Sequence, residues 1–125
     1  MSSLRTAFAG FALGILALPV TAGDDLLRTF ASCAGRLSAQ MEHQWLMSDP
    51  ASDRTEVQRS AMLALVAAVM PPDAGHDVLA WRIDAKQAQA VILTRATFND
   101  DPDDAAWAAQ RAEAQIASCK GLLLG

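Results

Sequence analysis

Apolar residues recur at spacings of three and four along the chain from about residue 24 onwards, which is the periodicity of an amphipathic α-helix. Four such stretches are separated by short segments rich in proline, glycine, aspartate and asparagine, which favour turns. The pattern predicts helices over about residues 24–47, 53–70, 77–98 and 101–120. Because short connections between long helices favour antiparallel neighbours, we expect an all-α fold, an up-down-up-down four-helix bundle.

The first two predicted helices have apolar faces and recognisable ends. Pro50 disfavours helical conformation at Asp49 and so ends the first helix. Asp53 and Glu56 have the spacing of a capping box at the start of the second, and the segment 61–70 is apolar nearly all round, which predicts deep burial. The face of the first helix consists of Leu27, Phe30, Ala34, Leu37 and Met41. The face of the second consists of Val57, Ala61, Leu65, Ala68 and Val69.

The third and fourth helices follow from the same periodicity. The fourth is expected to begin with Asp101 as N-cap and Pro102 as the first helical residue, and Gly121 is expected to end it. The face of the third helix consists of Val78, Trp81, Ala85, Ala88, Ile92 and Ala96, with Val91 beside them. The residues opposite that face are Arg82, Lys86 and Gln89. The face of the fourth consists of Ala105, Ala109, Ala112, Ile116 and Cys119.

A different pattern precedes these helices. Residues 1–22 have the layout of a secretory signal peptide. Arg5 is followed by an apolar run, and Val20 and Ala22 stand at the two positions where signal peptidase requires small residues. We therefore expect cleavage after Ala22, which leaves a bundle domain over residues 23–125. The alternative is an uncleaved N-terminal membrane anchor, although the apolar run is shorter than the roughly 20 residues that a span needs.

Composition supports the helical prediction and limits the partners. The chain has 26 alanines and no tyrosine, and alanine is the strongest helix former. The formal charge of −4 becomes −5 if Arg5 is removed with the signal peptide. Acidic and basic residues are interspersed without a basic stripe, so we expect no nucleic-acid partner, and membrane contact only if the N-terminal segment is retained.

The two cysteines, Cys33 and Cys119, are predicted to form a disulfide. An exported chain meets an oxidising compartment, where paired cysteines are usually bonded. In the predicted bundle the start of the first helix also lies beside the end of the fourth, so topology brings the same two residues together. A redox-active pair is not expected because there is no Cys-x-x-Cys motif. In the cytosol the two residues would instead be buried free thiols.

Met41, His43 and Met47 are the candidate metal ligands, although no cofactor is predicted. His43 and Met47 are four residues apart on one helical face, and an imidazole with a thioether is a combination that holds Cu(I) or haem iron. Met41 also has the spacing of a core residue, which is the competing interpretation. Covalent c-type haem is excluded because the Cys-x-x-Cys-His motif is absent.

Enzymatic activity is not predicted for this chain. Zinc hydrolases need three suitably spaced ligands, and the chain has only two histidines and no His-Glu-x-x-His motif. Glu42 and His43 are adjacent in sequence, so their side chains point about 100° apart on a helix. No nucleophile-elbow motif accompanies either histidine.

The three tryptophans fall on three different predicted helices. Trp81 follows the core pattern, and we favour core positions for Trp45 and Trp107 as well, because large aromatic side chains are usually well buried. The alternative is that Trp45 or Trp107 is an exposed anchor for a protein partner, since tryptophan is enriched at interface hot spots.

These features lead us to expect a small exported, non-enzymatic helical protein that acts as an accessory or interaction protein in the bacterial periplasm. If the N-terminal segment is retained, the chain would be an accessory subunit of an inner-membrane protein complex, facing the periplasm. A periplasmic copper- or haem-binding helical protein is the third possibility. A protein partner is expected in the first two cases, and its identity does not follow from the sequence.

Overall fold

The computed structural model describes Gly14 and residues 22–124, which form four α-helices. They are α1 (Ala22–Leu46), α2 (Ser52–Val69), α3 (Gly75–Thr97) and α4 (Pro102–Leu123). No strand occurs within these residues, so the all-α helical bundle is confirmed and the helix bounds agree with prediction to within a few residues. The predicted signal peptide over residues 1–22 lies outside the described residues, except for Gly14 and Ala22.

Helix α1 is the central element of the bundle. It packs against α2, α3 and α4, whereas no Cα atom of α2 lies within 8 Å of a Cα atom of α3 in the described part of the chain. Eleven α1 residues are buried, against three or four in each of the other helices. The expectation that consecutive helices are neighbours therefore holds for α1–α2 and for α3–α4 and is wrong for α2–α3.

Small residues allow the other helices to come close to α1. The buried residues that provide this space are Ala31, Ala34, Gly35, Ser38 and Ala39. At Gly35 an added Cβ would overlap the carbonyl oxygen of Arg82 and would lie 3.0 Å from the backbone nitrogen of Lys86. The backbones of α1 and α3 thus meet at a point where any side chain at residue 35 would collide with main-chain atoms.

The disulfide lies within the main hydrophobic core. Cys33 and Cys119 are bonded, at a separation of 86 residues, which is the predicted pairing. Both are buried, in a cluster with Leu27, Leu37 and Met62 among others. The bond ties the first half of α1 to the last turns of α4, whereas α1 and α4 share less non-covalent contact than α1 shares with α2 or α3.

The end of α1 has a specific geometry that sequence spacing alone did not predict. Ser48 adopts a left-handed conformation with φ of 52°. The backbone N–H of Asp49 donates to the carbonyl of Gln44 at 2.8 Å, which is the long hydrogen bond of a Schellman motif. The helix therefore ends at Leu46 through a reversal at Ser48, and Pro50 follows in the turn.

The start of α2 differs from the predicted capping box. Ala51 occupies the N-cap position and provides no side-chain hydrogen bond. The side-chain hydrogen bond at this helix start comes from Asp49, whose carboxylate accepts from the backbone N–H of Ala51 at 2.9 Å. Asp53 lies inside the first turn, where a negative charge is favourable next to the positive end of the helix dipole.

The predicted faces of α2 and α3 are partly wrong. On α2, Val57 is 69% exposed, and the buried residues are Ser52, Thr55, Met62 and Val66. On α3, Val91 is 67% exposed whereas Gln89 is buried. The Gln89 amide donates to the carbonyl oxygen of Ala112 at 3.2 Å, which satisfies this buried polar group. In segments that are apolar nearly all round, periodicity does not show which side meets the central helix.

Two further α3 residues predicted to lie opposite the core flank α1 instead. Arg82 and Lys86 line a groove of about 180 Å³ over α1, where the backbones of α2 and α3 stay apart. Lys86 pairs with Glu42 at 2.7 Å, and Arg59 of α2 donates to Ser38 at 2.7 Å. Polar side chains of both α2 and α3 are therefore bonded to side chains of α1 along this groove.

The start of α4 is confirmed and its predicted end is wrong. The Asp101 carboxylate accepts hydrogen bonds from the backbone N–H groups of Asp103 at 3.0 Å and Asp104 at 3.2 Å, with Pro102 as the first helical residue. Gly121 does not end the helix, which continues to Leu123 without a left-handed glycine. On its face Ala108 is buried, and Ala105 and Ala109 are only partly buried.

The Asp101 cap gives a stability prediction. We expect Asp101→Ala to lower the free energy of unfolding by about 1 kcal/mol, because two N–H groups of the first turn lose their acceptor. Asp100→Ala is the matched control, since Asp100 is exposed in the same loop and should change stability by less than about 0.5 kcal/mol. Urea unfolding of both variants measures the difference, and equal effects would contradict the cap assignment.

Candidate functional site

Large apolar side chains are exposed at one end of the bundle. Trp45 and Leu46 are the last residues of α1, Met47 follows them in the turn, and Phe98 follows the last residue of α3. Their exposed fractions are 54%, 68%, 48% and 62%. We refer to these four residues as the apolar end. Exposed apolar residues scattered singly are common, whereas several large ones at one end of a bundle favour an interaction site.

A hydrogen bond connects the two helices that supply the apolar end. The imidazole Nε2 of His43 and the hydroxyl of Thr97 are 3.0 Å apart. This bond joins the last turn of α1 to the last residue of α3, so Leu46 and Phe98 project from neighbouring helix ends. His43 therefore has a structural partner, and its hydrogen bond holds the ends of α1 and α3 next to each other.

Acidic residues follow the apolar end in sequence. Asp49 lies in the turn after α1, and Asp100 and Asp101 lie in the loop after α3. All three are exposed, and none forms a salt bridge within residues 22–124. An apolar surface with acidic residues at its margin would suit a partner that presents apolar side chains with basic residues around them.

The core interpretation of the tryptophans is wrong for Trp45 and Trp107. Trp107 is 52% exposed and lies in the second turn of α4, with the guanidinium of Arg95 5.0 Å from its ring centroid. Trp81 is partly buried and packs against the core cluster, with Arg28 5.7 Å from its ring. The two partner-binding candidates from sequence are thus the two accessible tryptophans, whereas Trp81 belongs mainly to the core.

A polar network holds the α3–α4 connection beside Trp107. Arg95 forms a two-pronged ion pair with Asp104, and the amide of Asn99 donates to the same carboxylate at 2.6 Å. The hydrogen bonds from Arg95 lower the pKa of Asp104, although partial desolvation opposes this shift, and the same pairing raises the pKa of Arg95. The network positions Arg95 over the tryptophan ring.

This network predicts a specific pH dependence. Because the pKa of Asp104 is lower in the folded chain, its stabilising contribution is present above the unfolded aspartate pKa of about 3.9 and is lost as pH falls through the folded pKa. In Arg95→Gln we expect the Asp104 pKa to rise towards its ordinary value, as measured by carboxyl NMR titration. Arg54→Gln is the control and should leave that pKa unchanged. An unchanged Asp104 pKa in Arg95→Gln would contradict the assignment.

The candidate metal ligands lie in different environments. Met41 is 5% exposed and belongs to the interior, His43 is partly buried against Thr97, and Met47 is 48% exposed. Residues two apart on a helix do not face each other, so Met41 and His43 do not converge. Within the described chain, no three His, Cys, Asp or Glu residues come together as a metal-binding group.

An arginine lies beside the disulfide. The Arg36 guanidinium is 3.9 Å from the sulfur of Cys119. Burial lowers the pKa of Arg36, and the nearby positive charge of Arg111 acts in the same direction. Arginine remains charged in any case, so this side of the disulfide is electropositive.

The sequence interpretation missed Phe98 and Gln44. The apolar pattern predicts only that Phe98 ends the third helix, and its position next to the Asn99 loop signal is the feature that indicates exposure. Gln44 lies between His43 and Trp45 and is buried at 9% exposure. A polar residue on the apolar stripe that also contains Leu37 and Met41 was the available signal for a buried amide.

None of the helices described here has the length and apolar character needed to span a membrane. The chain matches no protein-family model, and no curated protein or solved structure is significantly similar to it.

Proposed function

We propose that this chain is a small exported, non-enzymatic helical protein that acts as an accessory or interaction protein in the bacterial periplasm. The observation that carries the proposal is the apolar end, where Trp45, Leu46, Met47 and Phe98 are each about half exposed or more. Tryptophan is enriched among the residues that carry most of the binding energy of protein interfaces, and aromatic residues and methionine are enriched at interface cores. The partner is therefore expected to bind at this end.

The periplasmic location is supported by two features. Residues 1–22 have the layout of a signal peptide, and the bonded pair Cys33–Cys119 is compatible with an oxidising compartment. If the N-terminal segment were retained, the same bundle would belong to an anchored subunit of an inner-membrane complex. Cell fractionation distinguishes these two forms of the proposal.

We infer the same up-down-up-down order of the helices as the sequence predicted. Along α3 and α4, Gln89 bonds to Ala112, and the later residue Arg95 pairs with the earlier residue Asp104. Along α1 and α4, Cys33 is bonded to Cys119, and the later residue Ala39 shares a buried cluster with the earlier residue Ala112. These pairs support an antiparallel α4 relative to both α1 and α3, and short connections support the remaining directions.

Site-specific photocrosslinking tests the interaction. Leu46 and Val57 are exposed to almost the same extent, 68% and 69%, but only Leu46 belongs to the apolar end. With p-benzoyl-phenylalanine placed at one or the other position in the exported protein, we expect a discrete crosslinked product only from residue 46. Trp45→Ser combined with Phe98→Ser should remove that product while the circular dichroism spectrum stays helical. Equal products from both positions, or none from residue 46, would contradict the proposal.

A further inference from the structure

The exposed side of α3 is uncharged along its centre. The residues there recur at spacings of three and four over residues 80–98, a length of about 27 Å. All of them are exposed, and the three large apolar ones, Ile83, Val91 and Phe98, are exposed by 45%, 67% and 62%. We refer to these six residues as the outer face of α3: Ala80, Ile83, Gln87, Val91, Thr94 and Phe98.

A shallow depression of about 420 Å³ lies on the outer face of α3. Its lining combines the smaller side chains of Ala90 and Thr94 with the larger ones of Val91 and Phe98. Such a combination suits the side chain of a second helix packed against the first, because helices pack by inserting side chains between those of their neighbour. Phe98 also belongs to the apolar end, so the two surfaces are continuous.

Unpaired acidic residues lie along the margin of this face. Asp77 and Asp84 are seven residues apart, which places them two turns from each other on one edge of α3. Asp100 lies in the loop just after Phe98. All three are exposed, and none forms a salt bridge within residues 22–124. We refer to these three residues as the acidic margin of α3.

The basic residues of α3 do not balance the acidic margin. Lys86 is paired with Glu42, and Arg95 is paired with Asp104. Arg82 is partly buried and lines the groove over α1 on another side of the helix. The outer face of α3 is therefore an uncharged, largely apolar surface with a net negative margin.

We propose that the outer face of α3 binds a basic amphipathic helix of the partner. The inference rests on the function proposed above and adds the chemistry of the segment that the partner presents. Apolar side chains at i, i+3, i+4 and i+7 of that helix pack along the outer face, with one of them in the depression. Its lysines or arginines lie next to the acidic margin. A second copy of this chain fits less well, because its own net charge is also negative.

Fluorescence anisotropy with three labelled peptides of about 18 residues, the length of the outer face, tests this chemistry. The first peptide has leucines at i, i+3, i+4 and i+7 and lysines elsewhere, and the second has glutamates in place of the lysines. The third has the composition of the first in an order without helical periodicity. With protein purified from the periplasm, we expect a Kd of about 100 µM or tighter for the first peptide, and binding at least about tenfold weaker for the other two.

Two valines of nearly equal exposure locate the binding site. Val91→Ser should weaken binding of the leucine–lysine peptide about tenfold, because an apolar contact on the outer face is lost. Val57→Ser on α2 is the matched control and should bind as the parent does, since Val57 is 69% exposed and Val91 is 67% exposed. Asp84→Asn should weaken binding about two- to fivefold, whereas Glu56→Gln on α2 should leave it unchanged.

Several results would overturn the inference. These are no detectable binding of the leucine–lysine peptide, equally tight binding of the leucine–glutamate peptide, and equal losses in Val91→Ser and Val57→Ser. A dimer in sedimentation experiments that Val91→Ser converts to a monomer would also overturn it, because the outer face would then belong to a second copy of the chain.

Photocrosslinking from residue 87 separates this inference from the proposed function. Gln87 is exposed and lies in the middle of the outer face. With p-benzoyl-phenylalanine at residue 87, we expect the same crosslinked partner as from residue 46. A product from residue 46 without one from residue 87 would overturn this inference alone. No product from residue 46 would contradict the proposed function itself.

Discussion

Replacing Cys33 and Cys119 together by alanine is expected to lower the free energy of unfolding by about 4–5 kcal/mol. The disulfide closes a loop with a sequence separation of 86 residues, and the chain-entropy relation for a loop of that length gives this magnitude. A domain of this size has a net stability of about 5–15 kcal/mol. The double variant should therefore lose a large share of its stability, and a marginal bundle would unfold at growth temperature.

The physical reason lies mainly in the unfolded chain. Without the cross-link the unfolded chain is more expanded, so the dependence of unfolding free energy on urea should become steeper as the midpoint falls. Urea titration followed by far-UV circular dichroism measures both quantities. Ser32→Ala with Ser118→Ala is the matched control, because these residues neighbour the cysteines on the same two helices.

We expect the serine control to change stability by less than about 0.5 kcal/mol per site. Chemical reduction of the unmodified protein should reproduce most of the loss seen in the cysteine variant. Equal unfolding free energies for oxidised and reduced protein would show that the bond contributes nothing to the fold, and would contradict this prediction.

Gly35→Ala is expected to destabilise the protein by a net amount of up to about 2 kcal/mol, although alanine is the better helix former. An added Cβ overlaps the carbonyl oxygen of Arg82 and approaches the backbone nitrogen of Lys86. Because the opposing atoms belong to the main chain, α1 and α3 must move apart to accommodate the methyl group, and overpacking of this kind costs about 1–3 kcal/mol. The intrinsic helix gain of up to about 1 kcal/mol offsets only part of that cost.

Gly121→Ala is the control because Gly121 also lies in a helix, and a Cβ there meets no atom within 4 Å. Without a steric cost, this substitution should stabilise the protein by up to about 1 kcal/mol. The two glycine-to-alanine substitutions should thus have opposite signs in urea unfolding. A stabilising Gly35→Ala would show that α1 and α3 do not cross closely at this point.

The number and bounds of the helices could be predicted because each is delimited by residues with strong local preferences. Asp101 and Pro102 begin α4 as expected, and Pro50 and Pro71 lie just outside helices. The buried face of α1 could also be predicted, because its more polar positions recur every four residues and leave one clear apolar side. That more polar series is Arg28, Ser32, Arg36 and Gln40.

The faces of α2 and α3 could not be predicted from periodicity. In α2 nearly every residue from 61 to 70 is apolar, so burial is decided by which side meets α1, and Met62 and Val66 were not selected by the pattern. In α3 the burial of Gln89 depends on an acceptor on α4, the Ala112 carbonyl, which is remote in sequence. Long-range contacts of this kind have no local signal.

The candidate surfaces could be predicted from the sequence only in part. Trp45 was identified as a possible anchor, but its exposure depends on where α1 ends, and that is set by the reversal at Ser48. Phe98 comes from a second helix, and the His43–Thr97 hydrogen bond brings the ends of α1 and α3 together. Such a juxtaposition becomes visible only when the helices are placed relative to one another.

Intact-mass spectrometry of the protein isolated from cells shows whether it is exported and disulfide-bonded. We expect a periplasmic chain that begins at Gly23 and is lighter by two hydrogens than the same chain after reduction. A cytosolic chain that retains residues 1–22 and alkylates at both Cys33 and Cys119 without prior reduction would contradict this expectation.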